Sequence, residues 1–210
     1  KAADLVKKLT PEFKGPYDPD ADLIFPNTLL KVDGELRSSM VVEPADGRLP
    51  LTALARLAAD RDSELSKHGY DNPEERPTAE RCVSGLGYPP IRAISLVIPN
   101  QIIQTPDAIV VVTEDTDAAR IIHLTGPAPP DTVRTRLGYS AGHWDGDTLV
   151  VETTHLAAAG PSGALHLDAV IAGEASRIVE RFTLKSNSEL LYQFTVEDRA
   201  LYDRPWRAEF

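Results

Sequence analysis

"IVERFTLKSNSELLYQFTVED", residues 178–198, consists of two runs of alternating apolar and polar residues around a short polar loop. Period-two alternation marks half-buried strands, and Val, Ile, Thr, Tyr and Phe suit a pleated surface. With Leu184 set against Leu190, Phe182 faces Tyr192 and Glu180 faces Phe194. Ile178, Phe182, Leu184, Leu190, Tyr192, Phe194 and Val196 then make one apolar face, with Glu180 inside it. A slip of one residue would turn Glu180 outward, so the register decides its environment.

Runs of the same character recur at 93–98, 101–105, 108–114, 120–124, 138–144, 148–156 and 164–171. Hairpin-length connections between them predict an antiparallel meander over residues 91–210, curled into a barrel or half-barrel. Residues 1–90 read as an N-terminal arm, a helix and a linker that pack on it, one structural unit overall. Residues 1–50 are rich in Pro and Asp, which keeps them out of a central sheet. "AADLVKKL" there suits a short amphipathic turn, and Val41 and Val42 suit an edge strand. Residues 50–69 predict a helix from Pro50 to Gly69, with Leu54, Leu57, Ala58 and Leu65 on one face. Residues 70–90 have the Pro, Gly and charge mixture of a linker.

"GHWDGDTLVVETTH", residues 142–155, holds two His, a Trp, two Asp and a Glu. Asp145-Gly146 is a strong hairpin signal, because a type I′ turn needs positive φ twice. Centring the loop there sets Trp144 against Asp147, His143 against Thr148 and Tyr139 against Glu152. Tyr139, Ala141, His143, Thr148, Val150, Glu152 and Thr154 share one face; Trp144, Leu149, Val151, Thr153 and His155 share the other. Tyr139, His143 and Glu152 are either an acid–base group or the solvent face of a hairpin whose core side is Trp144, Leu149 and Val151.

Glu180 is the second candidate. Burial disfavours the charged form of a carboxyl among apolar neighbours, and enzymes use that to make an acid. The structural alternative pairs Glu180 with Arg120 or Arg92 inside the barrel. Arg120 has an alternative of its own, a surface ion pair with Glu114 across a hairpin. His123 reads as half-buried, and His166 shares a strand face with Asp168. No HExxH or HxH spacing occurs, so no metal site is expected. Gly85 and Gly87 lack the strand-to-helix context of a dinucleotide loop, and no GxSxG is present. No cofactor is expected. Trp206 suits a barrel-end plug, and Cys82 is either an activated thiol beside Arg81 or an inert buried one.

The 210 residues carry a net charge of −10, which argues against nucleic acid and anionic membrane surfaces as partners. No apolar run reaches membrane-spanning length. The single cysteine excludes an internal disulfide or a zinc ribbon. Lys1 in place of Met reads as the trace of a removed segment, a signal peptide among the options. Exposed edge strands make a homodimer a reasonable expectation.

"VVEPADGRLPLT", "ERC", "QTPDAIVVVTED", "GYSAGHWDGDTLVVETT", "IVERFTL" and "FTVEDRALYDRPW" together resemble a large group of uncharacterised bacterial proteins with a GxWxGDTLVVET signature. Many of that group carry export signals, so the resemblance implies an exported or periplasmic location. The signature's polar positions here are Glu114, Arg120, His143, Asp145, Asp147, Glu152, Glu180 and Asp198. The meander also resembles lipocalin-like (calycin) barrels, which hold small apolar ligands. Three functions follow as expectations. The first is a cofactor-independent lyase, isomerase, cyclase or hydratase acting on a small apolar or aromatic molecule. Glu180, Glu152 and His143 would be its acid–base residues, and Tyr139, Tyr192, Phe182, Phe194, His123 and Arg120 would hold substrate. The second is a carrier with the same pocket, and the third is a module whose barrel is filled by side chains.

Overall fold

A computed structural model describes residues 31–37, 39–68, 71–76, 88–91, 99–114, 119–157 and 172–210. The expected turn at 2–9, the strands at 93–98 and 164–171, and Cys82, Gly85, Gly87, Arg92, His166 and Asp168 lie outside those residues. The elements are β1 (Lys31–Val32), β2 (Glu35–Leu36), β3 (Val41–Glu43), α1 (Ala53–His68), β4 (Asn100–Gln104), β5 (Ala108–Thr113) and β6 (Ala119–His123). They continue with β7 (Tyr139–Asp145), β8 (Thr148–Thr154), β9 (Arg177–Ser186), β10 (Glu189–Glu197) and β11 (Trp206–Glu209).

β1 and β2 form a two-stranded ribbon, and the other nine strands form one sheet in the order β3-β11-β10-β9-β8-β7-β6-β5-β4. The sheet is open, with β3 and β4 as its edges among the described residues. The pairings are antiparallel except for β6 with β7, which run parallel. That corrects the uniform meander. Parallel neighbours cannot be joined by a hairpin, and the chain makes the crossover through residues 124–138, where Pro127, Pro129 and Pro130 keep it out of the ladder. β3 joins the sheet through β11, so the Val41 edge strand forms as read.

The β9–β10 register is Leu184 to Leu190, Phe182 to Tyr192 and Glu180 to Phe194, as the alternation requires. In β7–β8 the register differs. Asp145 pairs with Thr148 around Gly146-Asp147, so Trp144 meets Leu149, His143 meets Val150 and Tyr139 meets Thr154. The loop centre lies one residue further on, at Gly146-Asp147, where Gly146 takes the positive φ of 58°. Every partner moves by two, an even step, so the two faces keep the membership read from the sequence.

One sheet face is the core. Ile109 and Val111 of β5, Ile122 of β6, Leu149 and Val151 of β8, Ile178 and Phe182 of β9, Tyr192, Phe194 and Val196 of β10, and Trp206 and Ala208 of β11 are all buried there. Trp206 is a strand residue of this face, edge-on to Phe194 at 5.4 Å, and not the expected end plug. Trp144 is 49% exposed although its strand face is the core face. β6 ends at His123, so no β6 residue lies beside it to cover the ring. Leu184 and Leu190 are also exposed, because they lie at the hairpin tip.

α1 starts at Ala53, later than Pro50, because Thr52 caps it: Thr52 Oγ1 accepts from the Ala55 N–H at 3.2 Å. Thr52 also donates its own N–H to Leu201 O at 2.9 Å, tying the helix start to the turn before β11. Ala55 is buried, while Leu54 and Leu57 are exposed. The expected packing face is therefore exposed at Leu54, Leu57 and Ala58.

Candidate functional site

The site grows from a charge on the core face. Val111 pairs with Arg120, and Val151 pairs with Glu180, so strand alternation places both side chains among the apolar core. Arg120 is 1% exposed and Glu180 0%. A lone buried charge is untenable in such surroundings, and the two meet in a fork. Arg120 Nη1 donates to Glu180 Oε1 at 2.9 Å, and Nη2 donates to Oε2. A planar guanidinium suits this two-point contact.

The remaining donors are also satisfied. Arg120 Nε donates to Ser140 Oγ at 3.1 Å, and Nη2 donates to Thr153 Oγ1 at 2.9 Å. Those two hydroxyls lie 2.8 Å apart. The Tyr192 hydroxyl donates to Glu180 Oε1 at 2.5 Å and accepts the Ile91 N–H at 2.9 Å. Burial acts to lower the Arg120 guanidinium, but the Glu180 charge and hydrogen bond outweigh it and hold Arg120 above its ordinary value. Burial, and then the Glu180 charge, push the Tyr192 hydroxyl well above its ordinary range. Phe182 stacks at a tilt on Tyr192 with ring centres 4.7 Å apart, and Phe194 lies 5.6 Å away on the other side.

The structure thus brings together Glu180, Arg120, Tyr192, Phe182 and Phe194 on one face. Arg120 pairs with Glu180, not Glu114, which is exposed at the end of β5. Glu152 and His143 lie on the opposite face, both exposed. Glu152 accepts from Arg177 Nη2 at 2.5 Å, and Arg177 also reaches Glu197 at 3.5 Å. The hydrogen bond that Arg177 donates to Glu152 leads the effects that raise its guanidinium. Tyr139 and His123 share that outer face and stack on each other at 4.9 Å. His155 meets Tyr139 edge-on at 6.1 Å, with its Nδ1 2.7 Å from Thr154 Oγ1 and its Nε2 3.4 Å from Asp131. Asp145 is engaged by Arg181 at 3.0 Å. Asp198 is buried as a turn anchor, accepting from Ser176 Oγ at 2.6 Å and from the Ala200 N–H at 2.9 Å.

Ser140 and Thr153 complete the network without having been singled out as site residues. The alternation that puts Thr153 on the core side of the hairpin also puts Ser140 there. A hydroxyl facing an apolar core was the signal available. Among the described residues, no three of His, Cys, Asp and Glu gather as a metal-holding group, and no helix is long and apolar enough to cross a membrane. No family model, curated protein or solved structure matches the chain.

Proposed function

We propose that the chain is a filled β-sheet scaffold that works through its surface, as an interaction module without an interior reaction site. The observation that carries this reading is Glu180. It is 0% exposed, and both of its oxygens are engaged by Arg120 and Tyr192. A fully buried carboxylate held by three donors presents neither oxygen to a substrate, and the guanidinium that fixes it is equally enclosed. Phe182, Phe194 and Trp206 fill the same face with their rings. Native and then denaturing mass spectrometry of freshly purified protein tests the reading. The expected result is the mass of the chain with no stoichiometric organic companion. A retained small molecule released on denaturation would overturn it.

A second reading is favoured by one contact. The Tyr192 hydroxyl is capped by the main chain at Ile91, beside the buried Pro89 and Pro90. In this reading residues 88–91 cover a pocket of a lipocalin-like half-barrel, and their displacement would uncover Glu180, Arg120 and Tyr192 together. The chain would then be a carrier for a small apolar or aromatic molecule, or a cofactor-independent enzyme with Glu180 as its acid–base residue. Glu152 and His143 would act elsewhere, on the outer face. A screen of small aromatic compounds by Trp206 fluorescence separates the two readings. Saturable quenching lost in Phe194→Ala and retained in Trp144→Phe would favour the pocket.

A further inference from the structure

We infer that the β4 edge is a self-association surface, and that its occupant is β4 of a second copy of this chain. The inference rests on the surface reading above and names the partner.

The two edges of the sheet are built differently. β3 is three residues long, runs into Pro44, and carries Glu43 paired to Arg207 at 3.1 Å. Short length, proline and charge are the usual devices that keep a sheet edge from pairing. β4 is longer and uncharged, and the prolines that flank it, Pro99 and Pro106, lie outside the strand. It is five residues, Asn100 to Gln104, all exposed, and residues 99–105 carry no charge in a chain whose net charge is −10. Ile102 is 53% exposed and Ile103 42%. Among the described residues β4 pairs only with β5.

The hydrogen-bond phase identifies the open groups. Glu114 N–H donates to Pro99 O at 3.2 Å, and Thr105 N–H donates to Ala108 O at 2.9 Å. An antiparallel ladder alternates, so Gln101 and Ile103 also turn their main-chain groups to β5. Asn100, Ile102 and Gln104 therefore direct their N–H and C=O groups to the open side. A twofold axis at Ile102 pairs all three with a second copy. Ile102 meets Ile102 of the partner subunit, and Asn100 meets Gln104 of the partner subunit. Gln101 meets Ile103 of the partner subunit on the other face. On the face of Ile102, side-chain amide meets side-chain amide and Ile meets Ile; on the other, each Gln101 meets an Ile103; no like charges are opposed on either, as a self-complementary interface requires. Elsewhere, two copies of this acidic chain repel. Ile102 shares the core face with Val111 and Arg120, so its pairing would extend the core across the junction.

Sedimentation velocity over a concentration series, with amide hydrogen exchange at the ends of the series, tests this on the whole chain. The expected result is a reversible dimer, with the amides of Asn100, Ile102 and Gln104 protected in the dimer and fast in the monomer. Ile102→Lys sets like charges face to face at the axis, and Ile102→Pro removes an N–H that makes no bond to β5. Each should weaken the dimer about tenfold or more, with the far-ultraviolet circular dichroism unchanged. Three results would overturn the inference: a monomer at every concentration, protection of those amides that ignores concentration, or a dimer indifferent to both variants. A negative result here would leave the filled interior intact, since that is judged by the mass released on denaturation.

Discussion

Arg120 and Glu180 hold opposite charges on a face that excludes water, so removing one strands the other. Losing one member of a buried pair typically costs about 3–5 kcal/mol, whereas replacing both with apolar residues of similar size is often neutral. Arg120→Met and Glu180→Leu should each lower the urea midpoint by an amount in that range, and the double variant should recover most of the loss. Equal and additive losses in the double variant would show that the two side chains do not depend on each other. Tyr192 supplies a pH signature. Its hydroxyl is held protonated in the folded chain above the ordinary tyrosine value of 10.0. The folded state therefore binds more protons than the unfolded state above that value, and stability falls as pH rises through it. Below it the contribution is fully present. Urea midpoints measured on both sides of the ordinary value should fall more steeply for the wild type than for Tyr192→Phe. At this scale the sequence was legible where alternation alone decides. Glu180 opposite Phe194 follows from spacing, and Arg120 was one of two partners that spacing allowed. The selection of Arg120 came from the lateral order of four strands, β6 to β9, which no local pattern encodes.

Two glycines of the β7–β8 hairpin look alike in sequence and do different work. Gly146 needs a positive φ of 58° and has open space around a would-be Cβ, while a Cβ on Gly142 would meet Ile122 Cγ2 at 2.7 Å. Gly146→Ala should cost about 1–2 kcal/mol, the price of a left-handed backbone, and Gly146→Asn should recover much of it. Gly142→Ala should cost about 1–3 kcal/mol by overpacking, and Ile122→Val in the same chain should relieve it. Thermal midpoints of the four variants check both, and relief of Gly142→Ala by Asn-type backbone freedom rather than by trimming Ile122 would refute the packing account. Elements were legible in proportion to their local signal. Strands β4 to β10 follow from β-branched runs bounded by turn residues. In both hairpins an even shift leaves the faces intact and only the turn decides: β9–β10 pairs Leu184 with Leu190 as the alternation predicts, whereas β7–β8 is moved by two. The parallel β6–β7 pair was hidden, since it depends on where a proline-rich crossover returns. β11 was hidden as well: four residues, two of them charged, fall below any periodic signal.

The whole molecule is a sheet with two electrostatic regimes. Among the described residues the core face holds one fully enclosed ion pair, Arg120 with Glu180. The outer face holds half-exposed pairs, Arg177 with Glu152 and Glu197, Arg181 with Asp145, and Arg207 with Glu43. Solvent competes for the outer pairs, and measured values for such contacts are about 0–1 kcal/mol. Arg177→Met should therefore cost less than about 1 kcal/mol, although its contacts are as short as those of Arg120. Salt separates the two faces further. The Debye length falls from about 30 Å at about 0.01 M salt to about 3 Å at about 1 M. That shift screens the outer pairs and leaves the enclosed pair untouched. Urea unfolding of both variants at the two salt concentrations should show the Arg177→Met loss shrinking toward zero and the Arg120→Met loss unchanged. If the Arg120→Met loss also shrank with salt, ions would be reaching the pair, the interior would be open to solvent, and the pocket reading would gain over the filled scaffold.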